Sequence, residues 1–252
     1  MDRRDFVVAA IAGLLSYGCG RCDSANAGSN ARGCRRAGAG ADAVTYELRA
    51  SSGDETVDKS CRDVVNSLIA DFGVRPGFSF YDEGTFGNAE ATVKVMFPDG
   101  PDGTVLLGTT LVASVMNRPA IFDLTQPLQW RLANIHLIMA HEFTHILQFK
   151  YKWIVPWQLE PHADFMGGWF LARLERLGSK PKRSGGADEE SAARTMFSMG
   201  DTAFNSPEHH GQPEFRAAMV RAGYESGQLN LVEAFNKAIR WAGVPTRPES
   251  HQ

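Results

Sequence analysis

Apolar residues recur along this chain at two different periods, and the change from one to the other separates a strand-bearing first half from a helical second half. Between Asp58 and Phe72, the residues Val64, Val65, Leu68, Ile69 and Phe72 keep helical spacing, and Gly73 with Pro76 ends the run. This predicts an amphipathic helix packed on the domain from outside. Short runs rich in Val, Thr and Phe follow: Phe78–Tyr81, Ala91–Phe97, Thr104–Leu107 and Thr110–Met116. Gly84, Gly87 and the turn from Pro98 to Gly103 punctuate them, which predicts three or four antiparallel strands in a small sheet. From Leu128 onward the period is helical. One helix runs from Leu128 to Tyr151, and a second begins at Pro156, a residue suited to a first turn, and stops at Leu177 before Gly178. A charged, Gly-containing loop over 179–190 precedes further helices around 189–199, 212–226 and 229–242. No repeat is visible, and the fold class read from the pattern is α+β, mainly helical, with the small sheet first.

The chain has 252 residues, 43% hydrophobic and 22% charged, which is ordinary for a globular protein and long enough for one sizeable core. The single domain is expected over 44–245, with a disordered tail over 246–252. A net charge of −3 makes no electrostatic case for nucleic acid. No run of about eighteen apolar residues is present, so no transmembrane helix is expected in the mature chain.

The first residues change the picture. Arg3 and Arg4 directly precede the apolar run Phe6–Leu15, and Ala25-Asn26-Ala27 has the small-x-small form of a cleavage site. Residues 1–27 therefore read as a twin-arginine-like signal peptide, and the mature chain as exported to the periplasm or beyond. A lipoprotein through Cys19 competes, although Ser16 stands where a lipid-attachment box carries Leu; a buried N-terminal helix is the plain alternative. Residues 28–43 are small and Gly-rich, a flexible leader. Cys19 and Cys22 would leave with the signal, and Cys34 and Cys61 would remain as an even pair open to a disulfide.

The candidate chemistry lies in the first long helix, which contains His141-Glu142-Phe143-Thr144-His145. Positions four apart share a helical face, so both imidazoles can reach one metal ion, with Glu142 beside it as a base. Catalytic zinc takes three protein ligands and leaves one position for water. The third ligand is expected from Glu160, fifteen residues after His145 and near the start of the next helix. Asp164, one turn on, shares its face and is placed to accept a hydrogen bond from a ligating imidazole. Ala163, Gly167 and Gly168 would let the two helices approach closely. His162 projects about 200° from Glu160, a poor ligand position. His136 reads as a core or surface residue.

These residues also carry a family resemblance. His141-Glu142-x-x-His145-x-x-Gln148, Glu160-x-x-Ala163-Asp164 with Gly168, Gly200-Asp201, His210-Gly211 with Arg216, and Gly223-Tyr224 together resemble the bacterial neutral zinc metallopeptidases, over about residues 131–226. The resemblance implies a zincin-like domain of the Glu-liganded (gluzincin) type, with His141, His145 and Glu160 on zinc and Glu142 as catalytic base.

The expected reaction is hydrolysis of a peptide or protein substrate by zinc-activated water. His210 is the candidate second donor to the oxyanion, against the alternative that His209 and His210 only lead into a helix. Arg216 is expected to pair with a carboxylate such as Asp201. Thr104–Met116 reads equally as a peptide-binding edge strand or as a core strand. Two other functions compete: a catalytically silent zinc-binding or interaction protein, and a zinc hydrolase of a non-peptide amide. The intact Glu142 argues against the silent form, because a structural site needs no base.

Overall fold

The computed structural model describes residues 35–37, 46–85, 87–117, 128–152, 156–177, 193 and 212–243. Two short strands come first, β1 (Arg35–Ala37) and β2 (Glu47–Arg49), followed by helix α1 (Glu55–Phe72). The strands β3 (Gly77–Asp82), β4 (Ala89–Thr92) and β5 (Thr104–Gly108) lead into α2 (Thr109–Asn117). The remaining helices are α3 (Leu128–Lys150), α4 (Pro156–Leu177), α5 (Pro213–Glu225) and α6 (Leu231–Ala242).

The α+β class is observed, with a different sheet from the one expected. Its five strands run in the order β1-β4-β5-β3-β2 and are mixed in direction. β2 with β3 and β4 with β5 are antiparallel, whereas β3 with β5 and β1 with β4 are parallel. The antiparallel expectation fails because β4 inserts next to β5 on the side away from β3. That insertion leaves β3 and β5 related by a crossover. β5 sits in the middle of the sheet, so the edge-strand alternative for Thr104–Met116 is overturned. The second half of that run is not a strand at all but α2. Leu111, Val112, Val115 and Met116 are buried and Ala113 is exposed, a helical repeat that the two valines disguise as β. The expected strand Ala91–Phe97 also stops at Thr92, where the Thr104 hydroxyl takes over from the ladder, donating to Lys94 O at 2.8 Å and accepting from Met96 N at 3.1 Å.

α1 starts where the Asp54 side chain accepts the amides of Thr56 and Val57. It ends at Gly73, whose φ of 64° permits the left-handed cap that an L side chain disfavours. Its stripe Val57, Cys61, Val64, Leu68 and Phe72 is buried within the main core. The Phe72 ring meets Phe143 of α3 and Trp169 and Phe170 of α4, with centroids 6.4, 5.7 and 5.9 Å away. α1 is therefore amphipathic as expected, with one face in the core and Arg62, Asp63, Asn66 and Ala70 exposed on the other. Cys61 is a buried thiol, its pKa pushed up to about 12 by burial and the nearby Asp58, and Cys34, its expected partner, lies outside the described residues.

α3 runs through the centre of the molecule, with almost every side chain from Asn134 to Gln148 buried. The sheet covers it on one side through Phe80, Ala89, Ala91, Val105 and Leu107, and α4 on another. Glycines set the helix spacing. A Cβ on Gly167 would stand 2.8 Å from Leu137 Cδ1 of α3 and 3.8 Å from the His141 backbone nitrogen, so this glycine lies at the close approach of α4 to the helix carrying His141. Gly168 faces the other way, contrary to expectation: together with Gly223 it brings α5 against α4. No described helix is long and apolar enough to cross a membrane.

Candidate metal centre

α3 presents His141 and His145 one turn apart on one face, and their Nε2 atoms are 3.1 Å apart. α4, folded back along α3, adds the Glu160 carboxylate. Its Oε2 lies 3.2 Å from His141 Nε2 and its Oε1 3.3 Å from His145 Nε2. Pro161 stands inside α4 directly after Glu160, removing one helical rung beside the presented carboxylate. Each imidazole nitrogen thus stands 3.1 Å from the other and 3.2–3.3 Å from one oxygen of the carboxylate. Ligand atoms about 2.0–2.1 Å from a tetrahedral ion stand roughly 3.3 Å apart, so these separations have the size a metal ion requires. These three residues form the group that can hold a metal ion among the described residues.

The proton arrangement says the same. His141 Nδ1 is 2.9 Å from Asp164 Oδ1, and a carboxylate can only accept, so the ring carries its proton there. Gln148 donates its amide to the Leu159 carbonyl at 3.0 Å, which turns its Oε1 toward His145 Nδ1 at 2.8 Å. That oxygen also only accepts, so His145 too is protonated on Nδ1. Both Nε2 atoms then direct lone pairs at each other and at the Glu160 carboxylate. Three electron-pair donors converge with no hydrogen between them, an arrangement that a cation relieves.

Charge is balanced from behind. Arg216 of α5 grips Asp164 with two parallel bonds, Nε to Oδ2 and Nη2 to Oδ1, both 2.8 Å, and its Nη2 stands 3.8 Å from Glu160 Oε2. The fork holds the Asp164 carboxylate aimed at His141. Arg216 reaches it because α4 and α5 touch backbone to backbone. A Cβ on Gly223 would lie 1.9 Å from Phe165 O, and one on Gly168 2.0 Å from Val220 O. His141, Glu142, His145, Asp164 and Arg216 are all buried, whereas Glu160 keeps 15% exposure, so the centre opens on its side.

Among the residues expected from sequence, His141, His145, Glu160 and Asp164 come together, with Glu142 next to His141 on the buried helix. His210 and Asp201 lie outside the described residues; the carboxylates that Arg216 meets here are Asp164 and Glu160. Two participants had no role assigned from sequence. Gln148 orients His145, a role that its i+3 spacing from that histidine signals. His162 lies behind it with Nδ1 3.1 Å from the Gln148 amide and its ring edge-on to Phe235; burial and the nearby His145 push its pKa down to about 3.

Comparison with protein-family models, with curated proteins and with solved structures gives no match to this chain.

Proposed function

We propose that the protein is an exported zinc metallopeptidase that cleaves peptide bonds with Glu142 as general base. The observation that carries this reading is the convergence of the His141 Nε2 and His145 Nε2 lone pairs with the Glu160 carboxylate, beside a buried Glu142. Two imidazoles and one carboxylate form a donor set suited to catalytic zinc, with a position left over for water and substrate. Among the described residues, Glu142, Glu160 and Asp164 face Arg216 at this centre, which leaves two negative charges for a divalent cation to neutralise. The paired arginines at Arg3-Arg4 and the Ala25-Asn26-Ala27 site support export.

Zinc bound there supplies a Lewis acid and lowers the pKa of its water toward ~7. His141 and His145, fixed on Nδ1 by Asp164 and Gln148, keep their Nε2 lone pairs available at every stage. Glu142 takes the proton as water adds to the scissile carbonyl, and delivers it to the departing amine. Burial of Glu142 keeps bulk water from competing for that proton. A protein that held zinc only for structure would have no use for a buried carboxylate at this position.

The test pairs elemental analysis with a peptide library, using the wild type and Glu142→Gln. Zinc is expected in both at one per chain, with cleavage by the variant reduced by about 10² or more. Equal cleavage by both would remove Glu142 from the mechanism, and zinc in both with no cleavage by either would support the silent reading.

A further inference from the structure

The hydrogen bonds that begin at the metal centre do not stop at Gln148. Its amide nitrogen carries two protons and meets two acceptors, the Leu159 carbonyl at 3.0 Å and His162 Nδ1 at 3.1 Å. An amide nitrogen can only donate, so His162 Nδ1 offers a lone pair and the neutral ring carries its proton on Nε2. The backbone of Phe235 in α6 hydrogen-bonds to this ring, and the Phe235 side chain meets it edge-on with centroids 4.5 Å apart. Gln148 and His162 are both fully buried, which makes a missing partner costly.

The bonds all run one way. His145 Nδ1–H donates to Gln148 Oε1 at 2.8 Å, Gln148 donates to His162, and His162 is left to donate toward α6. Turning the Gln148 amide over would set its oxygen against the Leu159 carbonyl and the His162 lone pair. It would also aim its N–H at His145 Nδ1, driving the proton of that ring to Nε2. That is the atom facing His141 and Glu160, and a nitrogen that keeps its proton cannot ligate a metal. The direction of the chain therefore decides whether His145 is a ligand. Bonds in a buried chain also polarise one another, so a change at the outer end is felt at the inner one.

We propose that His162 is a positioning residue of the metal centre: its Nδ1 lone pair, held in place from α6, fixes the Gln148 amide and through it the His145 tautomer, so that α6 helps to set the metal affinity. This rests on the metal-binding part of the peptidase reading and on no step of catalysis. A histidine present only for packing would need its ring shape, whereas this role needs an acceptor at the Nδ1 position. Phenylalanine keeps the shape and has no acceptor. Asparagine loses the ring but can place its amide oxygen where Nδ1 stands.

The experiment compares the full chain with His162→Phe, His162→Asn, Gln148→Leu and the Gln148→Leu, His162→Phe pair. Zinc affinity is read by chelator competition, and the tautomers of His145 and His162 by ring-nitrogen NMR shifts of the metal-free chain at about pH 8. His162→Phe is expected to weaken zinc binding by about tenfold or more, and His162→Asn to recover most of that loss. Added to Gln148→Leu, His162→Phe is expected to weaken binding no further, because the residue through which it acts is gone. The parent is expected to show His162 protonated on Nε2 and His145 on Nδ1, and His162→Phe a mixture of tautomers at His145. Parental affinity in His162→Phe, losses that add in full in the pair, or the opposite His162 tautomer in the parent overturns the proposal. The parent's tautomers decide it even where His162→Phe does not fold. A parent that binds no zinc overturns it together with the peptidase, whereas zinc bound, the expected coupling and no peptide cleaved removes the peptidase alone.

Discussion

Each ligating imidazole of the centre depends on a residue that never touches the metal position. His145 relies on Gln148, whose amide is held by Leu159 O and His162 Nδ1. Gln148→Leu should leave the His145 Nδ1–H without its acceptor and weaken zinc binding by about 10–100-fold, as read by chelator competition, with the far-ultraviolet spectrum unchanged. Unaltered affinity would show that the ring orients itself. His141 relies on Asp164, and Asp164 on Arg216. Asp164→Asn strands a buried guanidinium and should cost about 3–5 kcal/mol in urea unfolding. Arg216→Met added to it should recover part of that loss, because the orphaned charge is then removed. If the double variant is no more stable than the single one, the charge pairing is not what Asp164 contributes.

The helices are fitted to one another by glycine contacts and by polar ties. Gly223→Ala places a methyl where Phe165 O already stands, so about 1–3 kcal/mol or more of stability should be lost, together with zinc affinity as Arg216 shifts away from Asp164. Stability lost with affinity unchanged would uncouple that packing from the centre. α1 is tied to α3 by Ser60 Oγ, 2.7 Å from His136 Nε2, and burial pushes the His136 pKa down from 6.5 to about 4. Between those values the unfolded chain holds the extra proton, so stability falls as pH drops through that window, by about 3 kcal/mol in all. His136→Gln should therefore lose less stability than the parent between pH 7 and 4.5 in urea unfolding, and equal losses would refute the assignment. Element type was legible where period and caps agreed. The helices over 128–150, 156–177, 213–225 and 231–242 match their apolar repeat to within a residue or two at either end. It was illegible at α2, whose valines favour strands in isolation, and in strand direction, which long-range pairing decides.

At the scale of the whole molecule, helices and sheet enclose an electrostatic imbalance. Among the described residues, Glu142, Glu160 and Asp164 face Arg216 at the centre. Metal removal should accordingly lower the thermal midpoint, and zinc at a hundred times its Kd should restore about 2.7 kcal/mol. A midpoint indifferent to chelator would contradict a centre in the core. The ligand set was legible in the chain because HExxH and Glu160 lie on two neighbouring helices whose spacing sequence alone can gauge. The Arg216 fork was not, since it depends on α5 meeting α4 across Gly168 and Gly223 from more than fifty residues away. Zinc X-ray absorption fine structure on the metal-loaded chain tests the central claim most directly. A first shell of nitrogen and oxygen only, at about 2.0–2.1 Å and with the outer scattering of two imidazoles, is the predicted result. A sulfur shell at about 2.3 Å, which would bring in the cysteines, or a zinc signal unchanged by His145→Ala, would contradict it.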